Sequence, residues 1–433
     1  MKSVTSLPFG RPPAAQSAGI DLAFQQAVAL HRSGQIQKAA TQYQQILARS
    51  PKHAGALHML GVVALASGAI SDAQRLIGQA AQLLPQDAGV QVNFAIALAD
   101  GGRLDEALGR IDQAIALNPQ MPAAQLNRVA ILVKAGQHKK ALEAAEQLIS
   151  AGHDSSELRI NQGLALLGLK RPHEAIAIFE SVLQAAPQHL KALNNLAVAS
   201  IDIDQLDRAI ELADRVLALQ PKNAEALHTK GRALKQQEQL AHAEPLLRTA
   251  TELKPMDADM LVSYADCLVS LQQHAQAISL LERALAMNPI RGNAYVVGGK
   301  ALAAQGRHQE AIANFNKALE IEPTLASAHY WKSISEQQLK MYREALHSLQ
   351  LCDADLSLTQ PVRMGMCDWS GFEENVATAC AQAIDKKRPP FLFLAMVDDP
   401  QIHFELARAY LKSRNILAGT PRIEKPDNIG EIF

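Results

Sequence analysis

Four asparagines recur at one spacing: Asn93, Asn127, Asn161 and Asn195 stand 34 residues apart. A carboxamide neither titrates nor attacks; it offers two N–H donors and a carbonyl acceptor on one rigid plane. A column of such groups can pair with the backbone of an extended polypeptide while ignoring its side chains. The chemistry implied is backbone recognition, not catalysis. The spacing alone leaves a structural role equally open, because half-buried amides often bond a neighbouring helix.

No other group of residues suggests a reaction. Cys267, Cys352, Cys367 and Cys380 form no Cys-x-x-Cys pair, which fits free thiols in a reducing cytoplasm. The 14 histidines show no zinc-ligand spacing, and neither a Gly-rich phosphate loop nor a Gly-x-Ser-x-Gly elbow occurs. No catalytic, cofactor or metal residue is therefore expected. The adjacent carboxylates Asp398 and Asp399 read as the cap of a helix entered through Pro400. Trp331 and Trp369 read as packing anchors. A net charge of -1 over 433 residues gives no basic field for nucleic acid or an anionic membrane. No apolar run is long enough to span a bilayer.

The asparagines belong to a chain-wide beat. Prolines stand at Pro51, Pro85, Pro119, Pro187, Pro221, Pro255, Pro289 and Pro323, all on a 34-residue grid that misses one beat at His153. An alanine precedes each beat by 12 residues, from Ala39 through Ala209 to Ala345, without exception. With the proline as position 32, ten repeats begin at residues 20, 54, 88, 122, 156, 190, 224, 258, 292 and 326. Position 8 then reads Ala27, Gly61, Ala95, Val129, Gly163, Ala197, Gly231, Ala265, Gly299 and Ser333, small in all but one repeat. Small residues there and at the alanine column mark two helices at closest approach. Tyr43, Leu57, Phe179 and Phe315 fill the spaces between, and the proline ends the second helix.

A fixed period of this length with these columns resembles the tetratricopeptide family over residues 20 to about 355. The fold expected is all-α, a right-handed tetratricopeptide-repeat superhelix of about ten repeats, each burying its face on its neighbours. Apolar residues at 48% with charged residues at 20% suffice for such a core. In repeat four Gly152 and His153 stand where the proline would be; a left-handed glycine can stop that helix equally well.

At about 100° per residue, position 6 of each first helix points away from positions 4 and 8, toward an open surface. The asparagines occupy this column, between Gln25 and Met59 before them and Thr229, Ser263, Val297 and Trp331 after. Position 5 carries no lysine or arginine, so the carboxylate clamp of co-chaperone repeats is not expected. Lys191, Arg232 and Lys300 read as parts of a solvated face.

After Ser357 the beat stops. Ser370 and Glu373 form a capping box for a helix running to about Lys387, and a second helix runs from Pro400 to about Arg414, with the apolar Phe391–Val397 stretch between them. Cys367, Asp368, Trp369, Ser370 and Phe372, followed by Pro390, Phe391, Asp398, Asp399 and Pro400, resemble the junction of bacterial O-linked N-acetylglucosamine transferase homologues of the SPINDLY type. That resemblance implies repeats that thread a protein toward a UDP-sugar site. It also raises the weight of Asn93, Asn127, Asn161 and Asn195 as a peptide-binding ladder. No catalytic residue of that family falls within this sequence.

The expectations are a disordered leader over 1–19, ten repeats over 20–357, a helical junction over 358–414 and a flexible tail over 415–433. The expected function is a cytoplasmic scaffold holding a protein or extended peptide in its groove, without nucleic acid, membrane or cofactor. Two alternatives stay open: one part of a split UDP-sugar-dependent glycosyltransferase acting with a separate catalytic polypeptide, or a free-standing scaffold for secretion or envelope assembly.

Overall fold

The computed structural model describes residues 14–369, 371–386 and 400–413. Among these, every regular element is an α-helix, 23 in all. The chain divides into two compact units, Met1–Val216 and Leu217–Phe433, and each is a stack of helix hairpins of one design.

Repeat five shows how that design is written. Ser155 accepts the backbone N–H of Leu158 (3.3 Å) and so caps the first helix, Ser156–Gly168. The same place before a first helix holds His53, Asp87, His189, Asn223 and Asp257, and each side chain accepts an N–H from the turn it precedes. These acceptors satisfy donors that a helix start leaves orphaned. At the other end Lys170 is left-handed, with φ 59°, and the Arg171 N–H reaches back to the Leu166 carbonyl (3.0 Å). That bond closes the helix and aims the chain into the second helix, Pro172–Ala185.

All ten repeats make this left-handed turn. Glycine supplies it at Gly34, Gly68, Gly102, Gly136 and Gly306, but Lys170, Asp204, Glu238, Gln272 and Lys340 adopt φ between 59° and 62°. Repeat four ends as its sequence implies. Gly152 is left-handed at φ 88°, and the His153 N–H donates to the Leu148 carbonyl (2.9 Å).

Inside each hairpin, position 8 faces position 24 of the second helix. Where position 8 is glycine, its partner is large: Gly61 with Ile77, Gly163 with Phe179, Gly231 with Leu247, Gly299 with Phe315. Where position 8 is Val129, position 24 is Ala145, and both are fully buried. In these repeats the two columns trade volume, as close packing requires; repeat six has alanine at both positions, Ala197 and Ala213, each fully buried. The alanine column is wholly buried from Ala39 to Ala345.

The structure departs from the sequence reading at both ends. The first helix, Ala14–Arg32, begins inside the stretch read as a leader; Ala14, Ala15 and Gln16 extend it because they are good helix formers. At the other end, a helix missed in the sequence, Leu356–Gly365, follows repeat ten and pairs with Phe372–Asp385. Asp355 caps it (Ser357 N–H, 3.0 Å), and Cys367 makes the left-handed turn at φ 54°. The hairpin therefore repeats the design once more.

The beat is lost there because the elements are shorter. The second helix of repeat ten, Tyr342–Leu351, has 10 residues where most other repeats have 14 in that place, as in Ile36–Arg49 of repeat one. Leu356–Gly365 also has 10 where Ala326–Gln338 has 13. The joint at this end is polar. Ser335, Glu336, Ser348, Ser357, Thr359 and Gln360 are buried, and Ser348 donates to the Glu336 carboxylate (2.8 Å).

The last helix, Pro400–Ser413, starts where Asp399 and Pro400 suggested, although Asp399 itself lies outside the described residues. Ser370, Phe391–Val397, Pro390 and Asp398 also lie outside them. The helix read from Ser370 is observed as Phe372–Asp385, with Gly371 at its cap. Among the described residues, no helix is long and apolar enough to cross a membrane.

Candidate functional site

The four asparagines sit on the first helices Ala88–Asp100, Pro122–Lys134, Ser156–Gly168 and Leu190–Asp202. These helices lie side by side in the Met1–Val216 unit, and all four asparagines are half-buried. Two amides are partly committed. Asn93 Nδ2 lies 2.8 Å from His58 Nε2 of the preceding repeat, and Asn127 Nδ2 donates to the Ala123 carbonyl (2.8 Å). Burial lowers the His58 pKa against a smaller pull from Asp87, so its ring is neutral and Nε2 can accept from Asn93. Asn161 and Asn195 make no hydrogen bond among the described residues. Each committed asparagine keeps its carbonyl oxygen and one N–H for another partner.

A second feature, in the Leu217–Phe433 unit, was not read from the sequence as a site. The first helices of repeats seven to ten, Ala224–Gln236, Ala258–Ser270, Gly292–Ala304 and Ala326–Gln338, line a cavity of about 360 Å³. Arg232, Lys235, Asp266, Lys300 and Trp331 are in its wall. Asp266 forms ion pairs with both Lys235 and Lys300. Burial would raise its carboxyl, but the two ammonium groups outweigh that and hold it below the ordinary carboxylate range. The Lys300 ammonium also lies 5.2 Å from the centroid of the Trp331 ring.

Arg232 and Lys300, read singly as solvated, are thus brought together; Lys191 is exposed on repeat six and takes no part. The signal was present in the columns. Position 9 is apolar in repeats one to six and in repeat ten (Val28, Val62, Ile96, Ala130, Leu164, Val198, Ile334) but reads Arg232, Asp266 and Lys300 between them. Lys235 is the lysine of position 12. Charge on an inner-facing column, confined to three successive repeats, is the pattern that singles the site out.

Nearby groups suit binding more than reaction. Burial pushes the Cys267 thiol up to about 11, so it is no nucleophile near neutrality. Burial, then Arg232, pushes His228 down to about 4. Among the described residues no group of three His, Cys, Asp or Glu side chains is placed to hold a metal. Trp369 is exposed and meets Phe372 edge-on at 5.2 Å in the turn before Phe372–Asp385.

Comparison with known families finds models described as "Tetratricopeptide repeat" at residues 30–91 and 166–233 and at 92–156, and one described as "TPR repeat" at 299–332. A model described as "Anaphase-promoting complex, cyclosome, subunit 3" matches residues 202–284. No curated protein matches. Among solved structures, a tetratricopeptide repeat protein from Parabacteroides merdae is 20% identical, with 59% of this chain and 98% of that one aligned at a TM-score of 0.44. MamA is 28% identical, with 38% of this chain and 96% of that one aligned at a TM-score of 0.31. YrrB, described as having an unusual peptide-binding site, is 20% identical, with 43% of this chain and 96% of that one aligned at a TM-score of 0.31.

Proposed function

The chain being a tetratricopeptide-repeat protein, we propose that it is a scaffold holding an extended stretch of another polypeptide along the amide column Asn93, Asn127, Asn161 and Asn195. The observation that carries this is the placing of four carboxamides on adjacent first helices, with Asn161 and Asn195 uncommitted. An amide bonds a peptide group at both its donor and its acceptor, and one such bond contributes about 1 kcal/mol net. With one such bond counted per asparagine, replacing Asn161 and Asn195 together by alanine removes about 2 kcal/mol and should weaken binding of a fluorescein-labelled random-sequence peptide pool by roughly thirtyfold. Unchanged affinity in the double variant sinks the column as a binding surface.

The four cysteines, all free thiols, support a reducing compartment and a cytoplasmic scaffold. A second reading rests on the junction residues Cys367, Asp368, Trp369 and Phe372. On it the repeats deliver a protein to the sugar site of an O-linked N-acetylglucosamine transferase, supplied by a separate catalytic polypeptide. Calorimetric titration of UDP-N-acetylglucosamine into the chain mixed with the product of the adjacent reading frame tests it. Absence of binding and of sugar transfer in that mixture removes the second reading and leaves the scaffold intact.

A further inference from the structure

We propose that the polypeptide held along Asn93, Asn127, Asn161 and Asn195 is a polyproline-II segment with one apolar residue in every three, laid down one tripeptide per repeat; this rests on the amide column being the binding surface. The first helices that carry the column touch one another in order, and helices packed side by side lie about 8–10 Å apart. Equivalent amides therefore recur at that interval along the guest. A polyproline-II chain rises about 3.1 Å per residue with three residues per turn, so each turn of about 9 Å brings a backbone carbonyl back to the same orientation. A β-strand repeats its orientation every second residue, at about 7 Å and then about 13 Å, and falls out of step with the column. An α-helical guest has its carbonyls bonded within itself.

The chemistry of the column agrees with that pitch. Asn93 and Asn127 each have one amide hydrogen engaged, by His58 and by the Ala123 carbonyl, so all four asparagines keep at least one N–H to donate. A polyproline-II backbone has no internal hydrogen bonds, which leaves its carbonyls open to such donors, and proline carries no N–H in need of an acceptor. Three residues on from each asparagine, and so beside it on the same helix face, stand Ile96, Ala130, Leu164 and Val198, all half-buried. Four residues before each asparagine, Gly89, Ala123, Glu157 and Lys191 form no such apolar line. One side of the column thus meets an apolar side chain once per turn, as a threefold chain presents it and an alternating chain does not. A polyproline-II guest is also ordered in advance, which reduces the entropy lost on binding.

The test uses the full chain and fluorescein-labelled, C-terminally amidated peptides of two to six Leu-Pro-Ser units, read by fluorescence anisotropy. Each is paired with a peptide of the same composition shuffled so that no two leucines stand three apart. Affinity should rise roughly fivefold per added unit up to four units, one for each asparagine, and then level off. At four units the shuffled peptide should bind roughly tenfold more weakly. Asn161→Ala with Asn195→Ala should leave two of the four steps, and Leu164→Gln should weaken the ordered peptide roughly fivefold; circular dichroism melting of each variant checks the fold. Equal binding of ordered and shuffled peptides, with the random-sequence pool still bound, overturns the threefold guest and leaves the amide column standing. Affinity that climbs evenly past four units overturns the pairing of one tripeptide with one repeat. Unchanged affinity in a normally folded Leu164→Gln variant overturns the apolar line. Binding of neither series, nor of the pool, overturns the column itself.

Discussion

The same substitution, glycine to alanine, should have opposite signs at two helical sites of this protein. Gly109 lies within the helix Leu104–Leu117, and a Cβ added there meets nothing within 4 Å. Alanine at that site gains the ordinary helix propensity, about 1 kcal/mol. Gly163 also lies within a helix, but its Cβ would stand 2.6 Å from Phe179 Cζ and 3.1 Å from Cδ1. Phe179 is fully buried, so its ring has no open direction to yield. Overpacking of this kind costs about 1–3 kcal/mol, against the same gain of about 1 kcal/mol in propensity. Gly163→Ala should therefore be neutral to destabilising by about 2 kcal/mol, while Gly109→Ala is stabilising.

The assay must be local, since long repeat arrays need not melt in one step. Hydrogen exchange of amides in Ser156–Gly168 and Pro172–Ala185, with urea midpoints alongside, reports the hairpin directly. In a double-mutant cycle, Phe179→Leu should remove most of the penalty of Gly163→Ala, giving a coupling of about 1–2 kcal/mol. If Gly163→Ala protects the hairpin as much as Gly109→Ala protects its own, or if the two changes add without coupling, the shared-volume account of positions 8 and 24 is wrong.

Ala209 is fully buried in the alanine column, so Ala209→Leu should lower stability by about 1–3 kcal/mol; an unchanged melting curve would contradict the packing. Gly102 has open space around its Cβ but a φ of 78°, so Gly102→Ala should cost about 1 kcal/mol through backbone conformation alone. A stabilised variant in urea would refute that. His228, pushed down to about 4 by burial and then by Arg232, against the pull of Asp257 and Glu225, binds its proton more weakly folded than unfolded. Its contribution is thus present above pH 6.5 and lost as pH falls toward 4, by about 3 kcal/mol at most. His228→Gln should flatten the wild-type fall in urea midpoint over that window, and parallel curves for the two proteins would refute the shift.

Much of the hairpin was legible because it is local and repeated. Ala39 to Ala345 and the small residues of position 8 sit where two helices meet, and sterics at such a contact leave few choices. The asparagine column followed from helical geometry, but its commitments did not. Whether Asn93 meets His58 or Asn127 turns back on Ala123 depends on rotamers that a period cannot specify. The cavity was missed because Arg232, Asp266, Lys235 and Lys300 were weighed as single charges, whereas three stacked helices bring them to one point. The final hairpin was missed because its signals, the Asp355 cap and the Cys367 turn, are carried by ordinary residues once the proline beat has slipped.

The polar joint at repeat ten bears on assembly. A stack of near-identical apolar faces has no intrinsic last member: any hairpin can follow any other, and the exposed end of one molecule is a template for the beginning of the next. Between repeat ten and the hairpin that follows it, the buried side chains change to Ser335, Glu336, Ser348, Ser357, Thr359 and Gln360. Glu336 is held within repeat ten itself, by Ser348 and Lys332, whereas Ser357, Thr359 and Gln360 are buried on the helix that follows; set against an ordinary alanine- and leucine-faced repeat, those three would be buried beside apolar surface, a costly arrangement. Mismatch at that joint is penalised where elsewhere it would be tolerated. The joint thereby disfavours exchange of the last hairpin for an ordinary repeat, which the apolar joints elsewhere in the array do not.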